Sequence, residues 1–198
     1  MTDNSGNLAA LVGSRICHDL ISPVGAIGNG VELLEMAGAS AGPELNLIAE
    51  SVNSAQARIR FFRIAYGLSG DQTMGAAEIV PILNSLNATS RVKLHWAPTE
   101  ALPRAEIRMA FLAFQCCETA VPLGGTVTAQ WQSGAWKITA NSDKISYDSM
   151  LWDKLNVTHG DTQVAPAQVQ FALLPVAAAD AGRAVAADFQ DDCLTITF

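Results

Sequence analysis

Ser14-Arg15-Ile16-Cys17-His18-Asp19-Leu20-Ile21-Ser22-Pro23 holds the residues best suited to chemistry. A neutral imidazole attacks phosphoryl groups, and histidine is the side chain that titrates near neutral pH. A carboxylate beside it orients one ring nitrogen and favours the attacking tautomer. Arg15, Asp19 and Ser22 stand at −3, +1 and +4 from His18, so on a helix Arg15 and Ser22 share its face. There Arg15 offsets charge on phosphoryl oxygens and Ser22 hydrogen-bonds nearby. The competing reading is an ordinary exposed histidine among helical charge pairs, each worth only about 0.2–0.5 kcal/mol. Pro23 weighs against that reading. A proline inside a helix costs roughly 3 kcal/mol, and it predicts a kink just after the histidine.

No other group competes strongly. His95 and His159 have no carboxylate or cysteine at ligand spacing and read as structural or surface residues. Cys17, Cys116, Cys117 and Cys193 show neither a metal spacing nor a disulfide framework, so they read as reduced thiols. Gly124-Gly125 reads as a helix exit and turn rather than a phosphate loop. The expectation is therefore no metal and no cofactor bound by the chain itself.

The histidine must be carried by a helix, and the pattern around it is helical. From Ala10 the series Gly13, Cys17, Leu20, Val24, Ile27, Val31, Leu34 steps by 3 and 4 residues, the a and d positions of a heptad. His18 then falls at b, away from the seam. After Met36 to Pro43, rich in glycine, a second series runs through Leu45, Ile48, Val52, Ala55, Ile59, Phe62 and Tyr66. Two such helices joined by a short loop form an antiparallel hairpin. Alone they cannot cover their stripes, so pairing two hairpins into a dimeric four-helix bundle is the natural solution. The predicted dimer core is Leu20, Val24, Ile27, Val31, Leu34, Leu45, Ile48, Val52, Ile59 and Phe62.

The pattern changes at residue 71. Pro81–Ala88 suggests a short helix, Arg91–Trp96 a strand and Ala105–Val121 a buried helix. Thr126–Gln132 and Trp136–Asn141 alternate around Ser133-Gly134, a hairpin signal. Residues 142–165 read as irregular and Val169–Ala181 as helical. Val185–Phe189 and Cys193–Phe198 read as a last hairpin turning at Asp191-Asp192. The predicted fold is α+β. Residues 1–70 form the helical hairpin domain, and residues 71–198 form an α/β sandwich with helices on one face of a mainly antiparallel sheet.

Composition narrows the partners. Among 198 residues, 12 basic face 19 acidic, for a net charge of −7, which argues against nucleic acid. No apolar run reaches the roughly 18 residues needed to span a membrane, and the polar N-terminus shows no secretory signal. A cytoplasmic location is expected. Apolar residues reach 49% and charged ones only 16%, so some apolar surface is left for an interface.

His18-Asp19-Leu20-Ile21-Ser22-Pro23 resembles the histidine box of sensor histidine kinases. The longer string over residues 8–36, with Val24-Gly25-Ala26-Ile27, Asn29-Gly30 and Glu32-Leu33-Leu34, is similar to the ChpT-type histidine phosphotransferases of alphaproteobacteria. The likeness stays collinear through Pro122-Leu-Gly-Gly125. It implies a homodimeric bundle followed by a degenerate kinase-like ATP-binding domain. It also implies a phosphorelay in which His18 takes a phosphoryl group from the receiver domain of a hybrid histidine kinase and passes it to response regulators. The receiver would bring the Mg²⁺. The kinase pattern itself is broken. At the spacing of the paired asparagines of kinases stand Gln115 and Thr119, and Asn141-Ser-Asp-Lys-Ile-Ser146 lacks the glycines of the nucleotide loop. Two alternatives remain in view: an ATP-dependent sensor-kinase fragment, and an adaptor that binds receivers without transferring phosphate.

The same reading suggests a docking face. Leu11, Val12, Gly25, Ala26 and Asn29 lie on the outward face with His18, although Leu11 and Val12 also suit packing against the second domain. Arg58, Arg60 and Arg63 fall near the height of the histidine once the hairpin folds. They either steer an acidic receiver or simply complement a helix C-terminus.

Overall fold

A computed structural model describes residues 3–37, 42–67, 72–156 and 164–198. Within the first helix, the side chains of residues 3–11, 13, 14, 17, 18, 21, 35 and 37 lie outside the described set. The predicted domain boundary at 70–71 and the histidine at 159 also fall outside it.

The two heptad series form two long helices, α1 (Asp3–Ala37) and α2 (Pro43–Ala65). Pro43 opens α2 in the first turn, where its missing N–H has no cost. Pro23 lies buried inside α1, which continues through it to Ala37. The helices approach closely at Gly30, where an added Cβ would collide with the Ile48 side chain.

The rest is a mixed α/β layer. Its elements are β1 (Thr73–Met74), α3 (Ala76–Thr89), β2 (Val92–Trp96), β3 (Leu102–Pro103), α4 (Arg104–Ala120), β4 (Gly125–Gln132), β5 (Ala135–Asn141), α5 (Ser149–Trp152), α6 (Gln170–Asp180), β6 (Ala186–Phe189) and β7 (Cys193–Thr197). Five strands form one sheet in the order β2-β4-β5-β7-β6, antiparallel except for the parallel β2–β4 pair. A parallel pair needs a long crossover, and α4 lies within it. The β4–β5 turn is Ser133-Gly134, both with positive φ (52° and 80°), the type I′ geometry that matches strand twist. Edge strand β2 is guarded by Asn87, whose side chain donates to the Leu94 carbonyl (2.9 Å) and accepts from its N–H (2.8 Å).

Three details depart from the expectations. Helix α3 begins five residues before Pro81, since its first turn carries no apolar periodicity to read. The predicted irregular stretch contains α5, capped by Asp148 accepting from Met150 N, and a 3₁₀ turn at Asp153–Asn156. β1 and β3 form a separate two-residue antiparallel bridge.

One core fills the space between the sheet and α4. Phe111, Phe114, Trp136, Ile138, Leu194 and Phe171 are among its fully buried members. Cys116 and Cys117 are buried there, and burial pushes both thiols up from their ordinary range. The last turns of α2 enter the same core through Phe61, Phe62, Ile64 and Ala65. Phe62, expected in the dimer seam, is therefore a core residue of its own chain, because the C-terminal end of α2 packs against α3 and α4. At the far side Arg183 forks onto Glu106 at 2.8 and 2.7 Å, and Trp136 Nε1 donates to the same carboxylate at 3.1 Å.

Candidate functional site

His18 sits within α1, one turn after Arg15 and one turn before Ser22. Its side chain and that of Leu11 lie outside the described set. The neighbouring charges are fixed. Arg15 Nε donates to Asp19 Oδ2 at 2.9 Å, a pair at i,i+4 with side chains 16% and 10% exposed. Arg15 Nη1 also donates to the Ala167 carbonyl, 152 residues away. The guanidinium expected to stabilise phosphoryl oxygens is thus engaged at two nitrogens, tying the histidine's helix to the α/β part. Ser22 is exposed.

The brace continues inward. Gln170 Nε2 donates to the Ala167 carbonyl (3.2 Å) and reaches Thr119 Oγ1 (3.5 Å). Thr119 Oγ1 donates to the Gln115 carbonyl at 3.1 Å, and Tyr66 Oη donates to Gln115 Oε1 at 2.5 Å. Burial pushes the Tyr66 phenol up, so it stays a neutral donor. Gln115 and Thr119, the two residues at the asparagine spacing of kinases, are therefore joined to a network that ends on Arg15 and Asp19.

Between α1, α2, α3, β2 and α4 lies a cavity of about 50 Å³, walled by Arg15, Asp19, Arg58, Gln115 and Glu118 on its polar side and by Phe61, Phe62, Leu86, Val92 and Leu94 on its apolar side. Arg58, expected to face a partner, is half-buried here. Arg60 and Arg63 are exposed. Gly25 and Asn29 are exposed and Ala26 half-buried. Val12 is half-buried in an apolar groove with Ile16, Ile59, Phe62 and Tyr66. Of the expected seam, Val24, Val31, Leu45 and Ile59 are 57%, 43%, 46% and 46% exposed, while Leu20, Ile27, Leu34, Ile48 and Val52 are half-buried.

Glu118, Gln170 and Ala167 were not singled out from the sequence. Glu118 stands between Gln115 and Thr119, in a segment whose missing asparagines drew the reading. No group of three or more metal-ligating side chains occurs among the described residues. No described helix is long and apolar enough to cross a membrane.

This architecture defines a class: a histidine-bearing helical hairpin braced against an α/β layer. Residues 76–192 match the family model of the histidine phosphotransferase C-terminal domain, and the chain belongs to that family. It is 34% identical over 127 residues to the protein phosphotransferase ChpT of Brucella abortus, across 63% of this chain and 60% of that protein's length. A bacterial phosphotransferase solved at 1.7 Å superposes with a TM-score of 0.81 at 25% identity, covering 100% of this chain and 98% of the other.

Proposed function

We propose that the chain is a phosphoryl carrier of a phosphorelay, with His18 as the acceptor. A receiver domain of a hybrid histidine kinase presents an aspartyl phosphate. An imidazole nitrogen attacks phosphorus, an N–P bond forms, and the acyl phosphate O–P bond breaks to release the aspartate carboxylate. The reverse reaction loads the aspartate of a response regulator. The transfer is mainly positioning and charge stabilisation. Asp19 orients the imidazole, Arg15 holds Asp19, and exposed Ser22 lies one turn away on the histidine's face. The receiver supplies Mg²⁺. One observation carries the reading: in a chain of this family, the carboxylate following the histidine is clamped by an arginine itself anchored to the α/β part.

The protein acts as a homodimer in the cytoplasm. Exposed Val24, Val31 and Leu45 of the hairpin support the dimer, since among the described residues nothing in the same chain covers that stripe. It neither binds nor hydrolyses ATP. In support, the Gln115 side-chain carbonyl is held by Tyr66, and the aromatic rings of Trp152, Phe171 and Phe189 pack together between α6 and the strand edge. Gly25, Ala26, Asn29, Arg60 and Arg63 form the face offered to receivers.

The test is direct. Incubated with a receiver domain carrying labelled phosphate, the wild type takes up label and His18→Gln takes up none, with unchanged thermal melting. Labelled ATP without a kinase puts no label on either. Transfer surviving in His18→Gln would remove the proposal.

A further inference from the structure

Helix α4 presents its polar side to the two helices of the hairpin. Gln115 is 2% exposed, and its Nε2 has no hydrogen-bond partner. Arg58 Nε is likewise buried and unpartnered. Buried donors without acceptors are uncommon in folded proteins and call for a reason. Both residues line the cavity that Arg15, Asp19 and Glu118 also line, so two guanidiniums face two carboxylates and an amide in about 50 Å³. Arg15 belongs to Asp19. Glu118 is the other carboxylate on this wall, and it faces Arg58 as well as Arg15.

We propose that Glu118 is a positioning residue for phosphoryl transfer: by balancing Arg58 across this cavity it leaves the Asp19 carboxylate to Arg15 and to the orientation of His18. The proposal rests on His18 being the phosphoryl acceptor. With Glu118 ionised, the cavity holds two cations and two anions. With Glu118 neutral, Arg58 and Arg15 both draw on Asp19, and its carboxylate is less available to the residue beside it. The α/β part thereby sets the reactivity of the histidine without touching the phosphoryl group.

Titration gives this arrangement a signature. Burial pushes the Glu118 carboxyl above its ordinary range, Asp19 adds to the rise, and Arg15 and Arg58 oppose it. Among the described residues, the charged and titratable groups around it are Arg15 and Asp19 from α1, Arg58 from α2 and Cys117 on its own helix, with Tyr66 held at Gln115. α3, its C-cap and β2 contribute only Leu86, Ser90, Val92 and Leu94. Glu118 is ionised above its raised pKa, so transfer is full there and falls as pH drops through that value. Glu118→Gln fixes the neutral state at every pH.

The experiment measures transfer of label from a phosphorylated receiver domain to the full chain, at saturating and subsaturating receiver, from about pH 5 to pH 8. Taking the ratio of wild type to variant at each pH removes the receiver's own titration. At neutral pH, Glu118→Gln is expected to slow saturated transfer about five- to tenfold, a coupling of ordinary size. The half-saturating receiver concentration stays unchanged, the gap closes as pH falls, and Glu118→Asp restores most of the rate. Equal rates at every pH, or a constant ratio across pH, would overturn the proposal. If Glu118→Gln folds poorly, Arg58→Gln removes the cation that Glu118 balances and supplies a second comparison: a pH-dependent change in saturated transfer with unchanged half-saturation supports the proposal, and an equal loss at all pH values assigns both residues a structural role only and overturns it. Label on His18→Gln would instead overturn the acceptor reading beneath the proposal, and it appears in a different variant.

Discussion

The hairpin and the α/β layer bury their apolar residues in opposite ways. In the layer, Phe111, Phe114, Trp136, Ile138 and Leu194 are closed off within one chain. Along the hairpin, Val24, Val31, Leu45 and Ile59 remain exposed despite strict heptad spacing. The change falls within α2. Before Phe61, Leu45, Leu47 and Ile59 are exposed while Ile48 and Val52 are half-buried and Ala57 is buried, and from Phe61 onward Phe61, Phe62, Ile64 and Ala65 enter the shared core. One helix thus serves two surfaces, a self-contained core at its C-terminal end and an unfilled stripe at its N-terminal end. A residue's heptad letter does not distinguish these; only what the helix meets does.

The sharpest way to break this contrast is to attack the closed core. Phe111 is fully buried and stacks on Phe61 with ring centroids 4.6 Å apart, joining α4 to α2. Phe111→Ala is expected to cost about 3–5 kcal/mol, a large part of the 5–15 kcal/mol that typically holds a domain. Denaturant melts followed by tryptophan fluorescence measure it, with Trp96 and Trp136 near the ring. A loss below about 1 kcal/mol would mean that α2 is not packed into the core as described.

Local pattern was enough to read most elements. The Ser133-Gly134 turn, the alternation of Val127 and Ala129 with polar neighbours, and the apolar run of α4 each carry a period and a turn signal of their own. The site was legible only along its own helix. His18, Asp19, Arg15 and Ser22 are linked by spacing, and the Arg15–Asp19 pair follows from i,i+4 geometry. What was not legible depends on long-range contact. Arg15 finds Ala167 across 152 residues, Tyr66 finds Gln115 across 49, and Arg58 turns inward. Gln115 and Thr119 were legible only as departures from a kinase pattern, Glu118 was not read at all, and their partners belong to elements that sequence proximity does not connect.

The second test addresses the open stripe. Val24→Glu with Val31→Glu places like charges on each hairpin of the proposed dimer while touching no residue of the closed core. Analytical ultracentrifugation is expected to shift the protein from dimer to monomer. Near-ultraviolet circular dichroism from the tryptophans should stay unchanged, since all four lie in the α/β part. A variant that remains dimeric would move the interface elsewhere, and one that loses its tryptophan signal would show the two regions to be a single cooperative unit.

The smallest effect concerns charge near the histidine's height. The first 70 residues carry 6 acidic and 4 basic side chains, and three of those cations are Arg58, Arg60 and Arg63. Arg58 faces the cavity, which leaves exposed Arg60 and Arg63 for an approaching acidic receiver. Exposed charges act mainly on encounter and are screened within about 10 Å at 0.1 M salt. Arg60→Ala with Arg63→Ala is therefore expected to lower transfer severalfold at low salt and subsaturating receiver, and to match the wild type at high salt or at saturation. Arg58→Ala should behave oppositely, losing rate at saturation and at every salt concentration, because its partner groups are enclosed. If all three arginines respond to salt alike, Arg58 also faces the receiver, and the division between an inward cation and two outward ones does not hold.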